Sequence, residues 1–223
     1  MKIGVVGGTF DPVHVGHVAM AEAAIACAGL DLVVLVPAGL PPHRRPTVAP
    51  AEDRLRMCQL AVAGRPRFMV SDLEVRRPGP SYTADTLRQL AERWPGEELY
   101  LVLGWDAARE VRTWHRPEEV LRLARLVVVT RPGHRAPTPE DLARVGIDPE
   151  RTILCDVRTP DVESTDIRRL AEHGGSLTGL VHPAVEAYLR RHRLYAHPPG
   201  SGVAGPPDGG RIGRAQRGHN PGC

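Results

Sequence analysis

The sequence predicts an α/β protein, a doubly wound parallel sheet with helices on both faces, in a single domain. Three observations carry that expectation. Short, continuous apolar runs recur at residues 3–6, 32–36, 68–70, 99–103 and 126–129, and unbroken runs are what strands buried on both faces require. Segments of helical spacing separate these runs, so each strand returns through a crossover and pairs in parallel. The first run ends in Gly7-Gly8, a sharp turn leading into a helix-like segment, and strand, glycine-rich turn and helix N-terminus together make a recipe for an anion site.

Each element follows from its own residues. From about Gly16 the first helix shows an apolar face of Val18, Met20, Ala21, Ala24 and Ile25. The second strand, 32–36, ends at Pro37, and Pro41-Pro42-His43-Arg44-Arg45-Pro46 then forms a stiff basic loop. Residues 51–63 read as a helix through Leu55, Met57, Cys58, Ala61 and Val62. After the third strand at 68–70, Ser81 opens a helix that carries Leu87, Leu90 and Ala91 and stops at Pro95-Gly96. The fourth and fifth strands enclose Gly104-Trp105-Asp106 and Trp114-His115-Arg116-Pro117. Residues 132–150 show no readable pattern. Ile153, Leu154 and Val157 suggest a last strand, and Ser164 or Thr165 suits the N-cap of the helix after it. Residues 181–195 read as a terminal helix. The domain therefore spans 1–195, and the Gly/Pro-rich tail at 196–223 lacks the periodicity needed for a packed structure. The pattern is Rossmann-like, and in such sheets ligands bind beyond the carboxyl ends of the strands. The glycine turn, the Pro-Pro-His loop and Gly104-Trp105-Asp106 all follow strands and share that rim.

A chain of 223 residues can bury a sizeable core. The 29 basic and 26 acidic residues leave a net charge of +3, too mild to argue for nucleic acid as a partner. Lys2 is the only lysine. No run approaches the ~18 apolar residues of a membrane span, and the N-terminus reads as a strand rather than a signal peptide. Cys27, Cys58, Cys155 and Cys223 are scattered without a CxxC pair. That spacing predicts neither a zinc site nor a disulfide framework, and fits a reducing, cytoplasmic setting. Oligomeric state stays open, a homo-oligomer included.

The chemistry concentrates in Gly7-Gly8-Thr9-Phe10-Asp11-Pro12-Val13-His14-Val15-Gly16-His17, where two histidines three apart lie on one helical face. This stretch resembles the signature of the HxGH nucleotidylyltransferases, and specifically the bacterial nicotinate-nucleotide adenylyltransferases. The resemblance implies that His14 and His17 hold nucleoside triphosphate phosphates, with Gly7, Gly8, Thr9 and Phe10 shaping the turn. Ser164-Thr165-Asp166-Ile167-Arg168 resembles the family's second motif. It implies hydroxyls at Ser164 and Thr165 for the triphosphate and Arg168 as a charge-assisted fork on the β- and γ-phosphates. Glu163 departs from the small residue common there. Gly104 and Asp106 resemble the family's Gly-x-Asp and imply a ribose contact, and Arg45 joins the phosphate-binding set.

The acceptor site rests on a second resemblance. Pro80-Ser81-Tyr82-Thr83 followed by Asp85-Thr86-Leu87 is similar to the family's pyridine-site motif. It implies that Trp114 stacks on a pyridine ring while backbone amides near Thr83 and at His115, where tyrosine is common, receive the nicotinate carboxylate. A carboxylate accepts from both donors, whereas a neutral amide presents an NH₂ group to one of them. The expected partners are ATP and nicotinate mononucleotide, and the expected reaction is direct in-line attack on the α-phosphate. Mg²⁺ is expected to arrive with ATP, because no carboxylate cluster reads as a metal site of its own. Two readings of other classes stay open on sequence alone: a nucleotide-binding sensor without turnover, and a nucleic-acid role for the tail.

Overall fold

The fold is taken from a computed structural model that describes residues 1–42, 47–130, 135–157 and 159–196. All but the first residue of the expected tail lie outside them. Six strands form one parallel sheet: β1 (Lys2–Gly8), β2 (Leu32–Pro37), β3 (Phe68–Val70), β4 (Glu98–Gly104), β5 (Ala124–Val129) and β6 (Thr152–Cys155), in the order β3-β2-β1-β4-β5-β6. The helices among the described residues are α1 (Val15–Ala28), α2 (Ala51–Ala61), α3 (Leu73–Arg76), α4 (Thr83–Arg93), α5 (Trp105–Ala108), α6 (Pro117–Leu123), α7 (Pro139–Arg144), α8 (Ser164–Glu172) and α9 (Pro183–Arg191).

The doubly wound arrangement follows from the period of two in each strand. Val6 of β1, Val33 and Leu35 of β2, Tyr100 and Val102 of β4, and Val127 and Val129 of β5 face α1, α2, α8 and α9. Ile3, Val5, Val34, Val36, Leu99, Leu101, Leu103, Leu126 and Val128 face the opposite layer of α4, α5, α6 and α7. Every residue in both sets is at most 7 % exposed, which is why the strands read as unbroken apolar runs. Burying each such side chain contributes roughly 1.5–3 kcal/mol.

Strand order reverses between β1 and β4, so the switch-point crevice opens beyond Gly8 and Gly104. Gly8 pairs in register with Pro37 and Gly104 with Val129, which brings four strand exits to one rim. A parallel extension runs from that rim. Leu40 bridges Pro80, Gly39 N–H donates to Ser81 Oγ at 2.9 Å, and Ser81 N–H donates to Leu40 O at 2.9 Å. Only glycine fits at 39, because a Cβ there would lie 2.2 Å from the Glu74 carbonyl oxygen.

Several local expectations are corrected. Ser81 does not open a helix, since its amide and hydroxyl are spent on the β2 exit; α4 begins at Thr83. The last strand ends at Cys155, and Val157 lies beyond it at 38 % exposure. Glu163, not Ser164 or Thr165, is the N-cap of α8. The terminal helix is shorter than expected, because Pro183 starts it at its first position and Arg193 and Tyr195 adopt positive φ after it. The unreadable stretch contains α7, opened by Thr138, whose Oγ1 accepts from Asp141 N–H. Against the expectation of unpaired cysteines, the structure joins Cys27 and Cys155, 128 positions apart in the chain, as a disulfide with Cα atoms 6.0 Å apart. Spacing in sequence could not foresee a pair that forms because α1 packs over β6.

Among the described residues, no helix is long and apolar enough to cross a membrane.

Candidate active site

The site is built on the turn from Gly8 to His14. α1 starts at Val15 with His14 as its N-cap, in extended conformation. His14 N–H donates to His17 Nδ1 at 3.3 Å, and the two rings face each other with centroids 3.7 Å apart. An accepting Nδ1 makes Nε2 the protonated nitrogen of a neutral His17 ring. Phe10 packs edge-on against His17 at 4.9 Å. Gly16 lets the chain pass close: a Cβ there would crowd His14 Nδ1 at 3.1 Å and Pro160 O at 3.2 Å.

The helix end is not the simple anion cradle that the sequence predicts. Val15 N–H donates to Leu180 O at 3.0 Å and His17 N–H to His14 O at 3.0 Å, so first-turn amides are used in holding the fold together. Gly8 O accepts from Ala38 N–H at 2.9 Å, which extends the β1–β2 ladder by one bond. In a trans peptide C=O and N–H point oppositely, so Thr9 N–H is directed away from β2, toward the crevice beside β4.

The second motif joins the first directly. Arg168 donates from one terminal nitrogen to Asp11 O at 2.7 Å and from the other to Thr165 Oγ1 at 3.2 Å. A guanidinium has five N–H donors in a planar fork, so donors and charge remain for a bound anion. Ser164 Oγ donates to Pro12 O at 2.9 Å, a second tie between α8 and the turn.

Gly104 and Asp106 stand on the same rim, at the end of β4 and in the first turn of α5. Asp106 is exposed, with Arg109 at 3.6 Å. Thr83 is the first residue of α4, and Trp114 is half-buried, packed against the core layer below it. Tyr82 stacks on His115 with centroids 4.1 Å apart, which brings the Thr83 segment against the Trp114-His115 segment. A charge network closes the same junction. Asp85 of α4 pairs with Arg88 and with Arg116 at 3.4 Å, and Glu119 of α6 pairs with Arg88 at 3.3 Å and with Arg116 at 3.6 Å. Arg45 lies outside the described residues.

Four contributors to the site were not singled out from the sequence. Asp11 is 5 % exposed and its carboxylate accepts from Val48 N–H at 2.8 Å, Ala49 N–H at 3.1 Å and Tyr195 Oη at 2.6 Å. Burial and the bond to Asp11 push the Tyr195 hydroxyl pKa up. Arg54 is fully buried. A signal for it existed: positions 54, 58 and 61 share one face of α2, so the arginine belongs to the apolar stripe of Cys58 and Ala61.

Glu74, the fourth, is 7 % exposed beside the β2 exit and accepts from Thr86 Oγ1 at 2.5 Å. Desolvation raises its pKa against the opposing hydrogen bonds from Thr86 and Ser81 and the charges of Arg77 and Arg54. With the folded-state pKa above the unfolded one, the group's contribution to stability is complete below the ordinary carboxylate range. It is lost as pH rises through the raised value. Glu74→Gln stays neutral and keeps an acceptor for Thr86. The difference in unfolding midpoint, variant minus wild type, should therefore become more positive from pH 4 to pH 8. Thermal unfolding across that range checks it, and a difference that does not change with pH contradicts it.

Comparison with known proteins agrees with this geometry. Residues 5–170 match the family model described as cytidylyltransferase-like. A Synechococcus sp. (strain JA-3-3Ab) protein named "Probable nicotinate-nucleotide adenylyltransferase" is 45% identical over 201 residues, covering 88% of this chain and 96% of the relative. One of the same name from Thermus thermophilus is 45% identical over 198 residues, covering 87% and 100%. The solved Plasmodium falciparum nicotinic acid mononucleotide adenylyltransferase, complexed with NaAD, is similar with a TM-score of 0.71 over 87% of this chain and 97% of that one. At 18% identity that likeness establishes the fold. With its HxGH turn and second motif on one rim of the sheet, the chain belongs to the cytidylyltransferase-like nucleotidyltransferases and, within them, to the nicotinate-nucleotide adenylyltransferase family.

Proposed function

We propose that this protein transfers the adenylyl group of ATP to nicotinate mononucleotide, giving deamido-NAD and pyrophosphate in NAD biosynthesis. The observation that carries the reading is the bond from Arg168 to the Asp11 carbonyl, which joins two phosphate-binding motifs 157 positions apart. The names of the relatives support the acceptor.

In this reading the mononucleotide's phosphate oxygen attacks the α-phosphate of ATP in line, the α–β bridging P–O bond breaks, and pyrophosphate leaves with the electron pair. The nucleophile is already anionic and needs no general base, so catalysis rests on positioning and on charge stabilisation. His14 and His17 bind the phosphates, with His17 Nε2–H as a donor. Thr9 N–H and Phe10 N–H line the turn. Arg168 neutralises charge developing on the leaving pyrophosphate, and Gly104 and Asp106 meet the ribose. The amides of Thr83 and His115 receive the nicotinate carboxylate while Trp114 stacks on the ring.

The donor set suits Mg²⁺ carried in by the triphosphate rather than held beforehand. Asp11, the buried carboxylate of the turn, is spent on three donors, and among the described residues no cluster of His, Cys, Asp or Glu could hold a metal. When bound with ATP, the ion supplies charge neutralisation on the phosphate oxygens.

Pyrophosphate release tests the reading. Purified protein with ATP and Mg²⁺ should release pyrophosphate when offered nicotinate mononucleotide, and not with phosphopantetheine or without an acceptor. Release with phosphopantetheine alone would keep the phosphate site and discard the pyridine pocket. ATP binding without release under any condition would favour a sensor.

A further inference from the structure

Arg54 is the one charged side chain with no exposure at all among the described residues. Its guanidinium forms no ion pair within them. Instead it donates to three backbone carbonyls from three segments: Thr9 O at 2.7 Å, Gly39 O at 3.1 Å and Ala49 O at 3.2 Å. Burying a cation without a bonded carboxylate is costly, and desolvation lowers its pKa while the fields of Asp11, Tyr195, Cys58 and Glu74 act against that. A solvated arginine on α2 would avoid this cost.

The three acceptors explain what the buried cation does. Thr9 O belongs to the phosphate turn, Gly39 O to the β2 exit, and Ala49 O to the approach to α2. Ala49 is clasped from both sides, since its N–H donates to Asp11 Oδ1 at 3.1 Å. Phe10, the next residue of the turn, has φ +50, the left-handed region that a phenylalanine enters only when its surroundings hold it there. Holding Thr9 O toward α2 points Phe10 N–H the other way, because the peptide between them is trans. Gly8 O, held by Ala38, does the same for Thr9 N–H. Two successive amides are thereby aimed at one side of the turn, which makes an anion-binding concavity.

We propose that Arg54 is a positioning residue for adenylyl transfer: its planar fork sets the Thr9–Phe10 peptide plane, and with it the amide that meets the transferred phosphate, against the two flanking segments. The proposal rests on the phosphate-site reading given above. Lysine carries the same charge, but its ammonium cannot match three carbonyls spread around a plane.

Arg54→Lys tests this, assayed well below its unfolding midpoint and normalised to folded protein. The expected result is a fall of about tenfold to a hundredfold in kcat/KM for ATP, as for an ångström-scale misplacement. KM for nicotinate mononucleotide should stay within about threefold. A merely structural arginine would lower the unfolding midpoint while leaving kcat/KM per folded molecule unchanged, and that result overturns the proposal. If Arg54→Lys does not fold, Arg54→Ala assayed with and without millimolar guanidinium decides. Return of turnover on addition supports a positioning fork, and folded protein that stays inactive with guanidinium present overturns it. If wild type itself releases no pyrophosphate, the function reading fails separately. Arg54 is then judged by calorimetric ATP binding: weakening of about tenfold in folded Arg54→Lys supports the proposal, and unchanged affinity overturns it.

Discussion

His17→Ala should lower turnover by about a hundredfold to a thousandfold while the protein stays folded, the range seen when one preorganised donor is removed from a site of developing charge. His17 occupies two roles that the variant removes together. Its Nδ1 accepts the N–H of the N-cap His14, a capping contact worth about 1 kcal/mol, and its Nε2–H is the proposed phosphate donor. His17→Asn separates them. A side-chain carbonyl at the third helical position can still accept from His14 N–H, but it is too short to present a donor where the imidazole reaches. The asparagine variant should recover most of the lost stability and little of the turnover. Pyrophosphate release beside thermal unfolding reads both. Near-normal turnover in His17→Ala would remove the phosphate role.

Arg168→Ala should cost a similar factor, about a hundredfold or more in kcat/KM for ATP. In the proposed reaction the guanidinium neutralises the leaving pyrophosphate, and in the fold it ties α8 to the turn through Asp11 O. Ser164 Oγ makes a second, independent tie to Pro12 O, so the turn keeps one anchor and the fold should survive. Arg168→Lys retains charge without the planar fork and should recover only a small part of the loss. Full activity in Arg168→Lys would mean that charge alone suffices and that the Asp11 contact is incidental.

The parts legible in the sequence are those whose physics is local. Continuous runs such as Leu32–Pro37 announce strands covered on both faces, and Gly7-Gly8 before a helical pattern announces the turn. The two histidines and Arg168 stand out by motif spacing, which needs no knowledge of tertiary contacts, and the fold brings Arg168 to the turn that carries the histidines. What was missed depends on partners far along the chain. Ser81 looks like a helix opener until its hydroxyl is seen to accept from Gly39, and Ser164 looks like a cap until its proton is seen to go to Pro12. Arg54 shares a face of α2 with Cys58 and Ala61, but only the fold supplies the carbonyls of Thr9, Gly39 and Ala49 that accept from it. Tyr195 reads as the end of a helix, yet its hydroxyl reaches back 184 positions to Asp11. The proposed acceptor site is intermediate. The Tyr82–His115 stack and the Asp85, Arg88, Arg116 and Glu119 network bring its segments together, while its chemistry came from resemblance.

The central claim is the identity of the acceptor, and a competition reads it most directly. Equimolar nicotinate and nicotinamide mononucleotides are offered together with limiting ATP and Mg²⁺, and the dinucleotide products are separated and quantified. The proposed amide donors at Thr83 and His115 predict deamido-NAD in excess over NAD by at least about tenfold, since a neutral carboxamide turns its NH₂ group toward one of them. Equal amounts of the two products, or NAD in excess, would contradict the account.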